Sequence, residues 1–306
     1  MICAPIALFV YNRPWHTQQT IEALQKNDLA GQSGLFIFSD GPKNENDAVN
    51  VGKVREYIRT VTGFKKITIT EKKDNSGLAK SIISGISEII EQHGKIIVLE
   101  DDLVTAPGFL NFINDGLDFY QENKKIFCIT GYNFPMSVMK IPKGYPHKIY
   151  VSPRNGSWGW ATWKDRWQKA DWDATDYQQF SQNKKLQKEF NYGGEDLSLM
   201  LKSQMEGRID SWSIRWCYSM FKNKGHCVYP VHSFIDNIGC DGSGAHCGAN
   251  MNDSRKNFVL NQERKIDFPE SIEINDMIMK QFQNAFRKKT LLSRINRYLK
   301  LKFFSG

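Results

Sequence analysis

No apolar run in this chain approaches the roughly 18 residues needed to cross a bilayer, so no transmembrane span is expected. Cysteine pairs at CxxC spacing are also missing. Cys3, Cys128, Cys217, Cys227, Cys240 and Cys247 are scattered, which removes any readable zinc site. At that density a disulfide framework is not expected, and a reducing compartment is. The GxGxxG fingerprint is absent after the first strand-like run, which argues against a dinucleotide site of that kind. There is no internal repeat and no low-complexity tract. Met1 leads straight into a strand-like run, so no signal peptide is expected.

What is present is material for a sizeable core. The chain has 306 residues and 41% hydrophobic content, enough for one large domain or two closely packed halves. Its net charge of +8 favours an anionic partner or surface. That charge concentrates near the end of the chain, so nucleic-acid binding is not expected from it.

The rest is organised around Ile96-Ile-Val-Leu-Glu-Asp-Asp102. Four apolar, β-prone residues run directly into three acids. This reads as a buried parallel strand that delivers carboxylates at its C-terminal edge. Ligands of open α/β sheets sit just beyond such edges. Three adjacent carboxylates repel one another unless a cation meets them. Mg²⁺ or Mn²⁺ suits oxygen ligands and usually brings phosphates with it. An acidic turn facing water is the alternative.

Pro5–Val10 is the first strand, and Pro14 fits the first position of the helix after it. Arg13 therefore stands where strand meets helix, as an anion contact or a surface cation. Leu35–Phe38 is the second strand, and Asp40 follows it, either accepting from a nucleotide or making a turn before Gly41-Pro42. Val51, Val54, Tyr57, Ile58 and Val61 recur at helical spacing, and Lys66–Thr70 alternates as a strand. Ser76 is placed to cap a helix whose buried stripe is Leu78, Ile82, Ile86 and Ile89/Ile90. Lys80 and Ser81 lie in its first turns, where a phosphate could bind. Pro107 to about Asn123 reads as a helix and Ile126–Thr130 as a strand. This alternation is that of a doubly wound, mainly parallel α/β sheet.

Beyond Gly131 the texture changes. Trp158, Trp160, Trp163, Trp167 and Trp172 fall within fifteen residues; at least half are expected in the core, and any exposed in a cleft could stack on a sugar ring. Glu195 and Asp196 precede a helix from Leu197 to Met205. Asp210 precedes another that runs to Lys224, followed by a strand, His226–Val231. Each of these acids could cap its helix or act as a general base. Asp241–His246 is a glycine-rich loop that could close over a diphosphate through Gly242 and Ser243, with His246 available to a metal. Residues 250–270 read as an extended connection. From Phe286 to Phe304 there is no acid. There are seven basic residues, at 287, 288, 289, 294, 297, 300 and 302, with Lys280 upstream. Leu291, Leu292, Ile295, Tyr298, Leu299 and Phe303 form a helical stripe between them. Such a helix can lie on anionic lipid or dock on the protein.

In order, Phe9–Arg13, Phe38–Gly41, Val98–Phe109 with its Ala-Pro-Gly-Phe continuation, Ile126–Gly131 and Cys227–Pro230 with its glycine-rich sequel resemble a GT-A-fold glycosyltransferase. The resemblance is to the N-acetylglucosaminyltransferase I type and to bacterial enzymes sharing its pattern, over about residues 4 to 248. It implies a Rossmann-like, mostly parallel sheet with helices on both faces, an acceptor-side region and a C-terminal basic helix. Residues 1–131 would form the nucleotide-sugar half, 132–270 the acceptor and catalytic half, and 271–306 the tail. Arg13, Asp40 and, near another contact, Ser81 would meet the nucleotide. Glu100 and Asp101 would meet nucleotide and donor sugar, and Asp102 would be the one direct protein ligand of Mn²⁺ or Mg²⁺. Asp210 falls where the catalytic carboxylate belongs. The family's Trp-Asp-Asp-Trp stretch reads Ile209-Asp-Ser-Trp212 here, which leaves Glu195 and Asp196 open.

The implied activity is metal-dependent, inverting transfer of a hexosyl or N-acetylhexosaminyl group. The donor would be a nucleotide sugar, UDP-linked by the resemblance, and the acceptor a saccharide or lipid-linked saccharide, as in bacterial surface polysaccharide synthesis. The implied location is cytoplasmic, with peripheral attachment to the inner membrane face through the tail. A nucleotidyltransferase would want a Gly-rich, basic loop after the first strand, and Tyr11–Pro14 has no glycine. A non-catalytic carbohydrate-binding protein would use the tryptophans alone.

Overall fold

The computed structural model describes residues 2–241 and 258–287. β1 (Ile6–Val10) is buried throughout, and Pro14 opens α1 (Pro14–Gln25). β2 (Gly34–Ser39), α2 (Glu45–Ile58), β3 (Lys66–Glu71), α3 (Leu78–His93) and β4 (Lys95–Glu100) continue the alternation. Next come β5 (Leu103–Thr105), α4 (Phe109–Phe119), β6 (Ile126–Thr130), β7 (Ile149–Ser152) and β8 (Trp160–Trp163). The short helices α5 (Lys164–Trp167), α6 (Tyr177–Gln182) and α7 (Lys184–Phe190) lead to α8 (Leu197–Met205) and α9 (Trp212–Lys222). β9 (His226–Pro230), β10 (Ile235–Asn237) and α10 (Asp276–Ala285) follow.

Eight strands make one sheet in the order β3-β2-β1-β4-β8-β6-β9-β7. Six share a direction; β8 opposes β4 and β6, and β7 opposes β9. The sheet is thus mostly parallel α/β, as the alternation implies, and it runs unbroken from the first half of the chain into the second.

Side-chain alternation explains why helices cover both faces. Ile6, Leu8 and Val10 of β1, with Ile97 and Leu99 of β4, pack with Leu24, Val54 and Ile113. Ala7, Phe9, Ile96 and Val98 point the other way and meet Ile82, Ile86 and Ile90 of α3. Each such fully buried Val, Leu, Ile or Phe side chain contributes about 1.5–3 kcal/mol. Gly85 lets α3 lie close to the sheet, since a Cβ there would stand 2.8 Å from the Phe9 ring.

The tryptophan-rich segment is largely core. Trp160 and Trp163 lie in β8, a strand that composition did not reveal, and Trp160 stacks on Trp212 with ring centroids 5.1 Å apart. Trp167 and Trp216 extend the same cluster. Trp158 lines the cleft described below.

α10 docks through Ile278, Met279 and Phe282, all fully buried. It is capped by Asn275, which accepts from the Met277 and Ile278 N–H groups. No helix among the described residues is long and apolar enough to cross a membrane. Residues 288–306, the greater part of the basic tail, lie outside the described residues. Cys240 is disulfide-bonded. Spacing rules test for frameworks and metal sites, and a single bridge escapes them.

Candidate active site

A cleft of about 860 Å³ opens at the C-terminal edge of β1, β2 and β4. It is lined by Arg13, Asp40, Ser81, Glu100, Asp101 and Asp102 from the first half of the chain, and by Trp158, Asp210 and Ser213 from the second. The structure therefore brings together most of the residues singled out in the sequence. Lys80 is exposed on α3 and does not line the cleft. The lysines that do are Lys43 and Lys72. Lys72 Nζ donates to Ser81 Oγ at 3.3 Å, which brings a cation to that serine from the end of β3.

The acid cluster is tied down by its neighbours. Arg13 pairs with both Asp101 and Asp102. Asp101 is 3% exposed and accepts a hydrogen bond from the Tyr11 N–H at 3.3 Å. The short β5 pairs antiparallel with β10, and the Ile238 N–H donates to the Asp102 carbonyl at 2.9 Å. That pairing swings Gly239 against the cluster. A Cβ at Gly239 would stand 2.1 Å from Asp102 Oδ2, so only glycine leaves this carboxylate its place.

Burial drives Asp101 upward, against the pull of Arg13. Burial also lowers Arg13, but the carboxylates of Asp101 and Asp102 outweigh it and hold the guanidinium above its usual value. Glu100 is pushed up to about 8, by burial first and then by Asp102 and Asp101, with Arg13 opposing. In the unfolded chain a glutamate ionises near 4.3. Between about pH 4.3 and 8, then, the folded protein keeps a proton that the unfolded chain has lost. Stability falls as pH rises through that window, and the loss is complete above it. Denaturant titrations without nucleotide or divalent cation should show the unfolding free energy dropping from about pH 6 to about pH 9. Glu100→Gln, neutral throughout, should flatten the decline; an unaltered slope would rule out Glu100 as its source.

Asp40 is more than a local turn residue. Its carboxylate accepts from the Ser76 N–H at 3.0 Å and the Gly77 N–H at 3.1 Å, and so holds the turn that leads into α3. Ser76, the cap expected from sequence, does not cap; Gly77 is the N-cap, at φ +80°. Gly41 has no room for a side chain either, since a Cβ there would meet Lys73 O at 2.4 Å.

Asp210 also lines the cleft, and it does not cap α9. Ser211 does, accepting from the Ile214 N–H. Asp210 is left 65% exposed, 3.4 Å from Arg215 Nη2. Its Oδ2 would lie 3.7 Å from a Cβ on Gly77, so it stands beside the turn that Asp40 holds. The two other candidate bases lie elsewhere. Asp196 is engaged by Arg154 in a fork, at 2.7 and 3.0 Å, and Glu195 pairs with Arg287 at 3.4 Å. Neither lines the cleft. Gly242, Ser243 and His246 lie outside the described residues.

Sequence reading missed Tyr11, Lys72, Asn75, Arg154 and Asn155 on the cleft wall. Only Tyr11 and Asn75 carried a signal, being next to strand ends and helix starts.

Would this site suit a divalent cation? Among the described residues no three His, Cys, Asp or Glu side chains converge as a ready shell. The donor set nonetheless fits a cation that takes one protein carboxylate. Three acids face one guanidinium, and Gly239 leaves the Asp102 carboxylate a cradle.

No family model matches the sequence. The capsid scaffolding protein of Saimiriine herpesvirus 2 (strain 11) is 25% identical over 114 residues, covering 36% of this chain and 24% of the viral protein. Among solved structures, PcManGT, a mannosyltransferase from Pyrobaculum calidifontis in complex with GDP-Man and Mn²⁺, has a TM-score of 0.36 at 10% identity, over 52% of this chain and 44% of that one. S. aureus TarS has a TM-score of 0.42 at 12% identity, over 84% and 41%. Mouse xyloside xylosyltransferase 1 has 0.37 at 11% identity, over 74% and 84%. The chain thus spans less than half the length of the first two. At these scores the likenesses carry no argument about chemistry, which rests on the cleft.

Proposed function

We propose that this protein is a GT-A-type glycosyltransferase that moves a sugar, with inversion, from a UDP-sugar to a saccharide acceptor using Mn²⁺ or Mg²⁺. One observation carries the reading. The acids at the end of β4 and the carboxylate of Asp210, which caps no helix, line one and the same cleft.

The roles follow from position and chemistry. Asp102 would hold the cation, with no second protein carboxylate needed in its shell. When bound, that cation neutralises charge growing on the leaving diphosphate. Asp40, Ser81 and Lys72 flank the place for the nucleotide, where Lys72 supplies positive charge. Trp158 packs against Tyr132 with ring centroids 4.4 Å apart and offers a face on which a sugar ring can stack. Asp210 takes the proton of the acceptor hydroxyl as that oxygen attacks the anomeric carbon. A single base opposite the leaving group is the arrangement for inversion.

Titration calorimetry of UDP against the full chain, with and without Mn²⁺, tests the reading, followed by nucleotide-release assays over a panel of nucleotide sugars. UDP binding strengthened by Mn²⁺ is expected. Saccharide binding indifferent to both nucleotide and cation would make this a carbohydrate-binding protein instead.

A further inference from the structure

Asp102 already has a cation beside it. Arg13 Nη1 lies 3.0 Å from Asp102 Oδ2, while Arg13 Nη2 pairs with Asp101 Oδ1. The cluster is enclosed, with the three side chains only 19%, 14% and 5% exposed for Arg13, Asp102 and Asp101. Gly239 backs it: a Cβ there would come within 2.1 Å of Asp102 Oδ2 and 2.9 Å of Arg13 Nη1. The backbone of Arg13 is fixed, because its carbonyl accepts from both the N–H and the hydroxyl of Thr17 at 2.9 Å. The long side chain is the part free to move.

A Mn²⁺ or Mg²⁺ ion on Asp102 would sit about 2.0–2.2 Å from its oxygen. That is the space the guanidinium faces, and two cations so close inside an enclosed cleft repel strongly. A guanidinium fork matches phosphate as well as carboxylate. Resting on the nucleotide-sugar reading above, we infer that Arg13 and the divalent cation are competing partners of Asp102, and that the nucleotide decides between them. By drawing the Arg13 guanidinium onto its phosphates or base, the nucleotide frees the carboxylate for the metal. Until then Arg13 keeps the cluster neutralised. Nucleotide and cation then bind with positive coupling, and by linkage each strengthens the other by the same factor.

The test measures Mn²⁺ uptake directly, by calorimetry and by loss of the free-ion paramagnetic resonance signal, with and without UDP. It compares the full chain with Arg13→Met and with Arg13→Met/Asp102→Asn. The parent should bind Mn²⁺ at least about tenfold more weakly without UDP than with it. Arg13→Met should bind Mn²⁺ alone about tenfold more tightly than the parent, and UDP should add little further. The double variant should lose that gain, which assigns it to Asp102. Should Arg13→Met fail to fold, Arg13→Lys carries the same comparison. Its single point charge cannot span both carboxylates, so its Mn²⁺ affinity without UDP should exceed the parent's. If the Arg13 single variants bind Mn²⁺ no more tightly than the parent, while UDP still recruits Mn²⁺ to the parent and to them but not to the Asp102→Asn double variant, the competition is overturned and the glycosyltransferase reading stands. If no protein takes up Mn²⁺ under either condition, both fall.

Discussion

Asp210→Asn is expected to lower the turnover number for sugar transfer by about 10²–10⁴-fold, the usual contribution of a positioned general base. UDP affinity and thermal stability should stay as in the parent. The separation is possible because Asp210 holds up nothing. Ser211 caps α9, the Asp210 carboxylate is 65% exposed, and its contact with Arg215 is a long 3.4 Å. A kcat effect without a matching loss of binding marks an interaction made only in the transition state. The rival acids behave oppositely. Asp196→Asn breaks the fork with Arg154 and leaves a guanidinium on the cleft wall with one partner fewer. It should lower the melting temperature more than it changes the chemistry. Steady-state kinetics of the two variants with one donor and one acceptor decide the matter. Undiminished turnover by Asp210→Asn would remove the base from its assignment.

The parts of this architecture that sequence exposes are those written in local pattern. β1, β2, β4, β6 and β9 each carry an apolar run, and β3 an apolar-polar alternation, that tertiary packing had no reason to override. The acids at the end of β4 were legible because a buried strand has nowhere else to deliver them. What could not be read depends on distant partners. β5 is three residues long and exists because β10 pairs with it, and that pairing alone sets Gly239 against Asp102. Asp40 looks like a turn residue until the chain folds and brings the Ser76 and Gly77 N–H groups to it. The tryptophans of β8 have a composition suited equally to a sugar platform and to a core, and only the sheet order makes Trp160 core while leaving Trp158 at the cleft. The capping rule that favoured Asp210 applies equally to Ser211, one residue nearer the helix, and there the helix boundary decided.

The second large effect concerns stability. Arg166→Met should cost about 3–5 kcal/mol, which for a chain of this length lowers the melting temperature by roughly 5–10 °C. The guanidinium of Arg166 is fully buried, 1% exposed, beneath the turn between α4 and β6. It donates to the carbonyls of Tyr120, Gln121, Asn123 and Ile126, at 3.3, 2.5, 3.3 and 3.3 Å. Its other partners are the Asp165 carboxylate at 2.7 Å and the ring of Trp163, 4.3 Å from the guanidinium carbon. Methionine fills much of the volume but donates nothing: the Tyr120 and Asn123 carbonyls keep the Asn123 and Ile126 N–H groups and the Gln121 carbonyl keeps Lys124 Nζ, but all four lose the charged donor that ties this turn to α5. Charge-assisted bonds to a buried cation are also stronger than neutral ones, which puts the cost above that of an ordinary lost hydrogen bond. Because Arg166 lies outside the cleft lining, UDP binding measured well below the melting temperature should be unchanged. Arg166→Lys, a single point charge, can satisfy only some of the four carbonyls and should fall between the parent and Arg166→Met. A melting temperature unmoved by Arg166→Met would mean that water replaces the guanidinium at this turn, and that the turn does not depend on it.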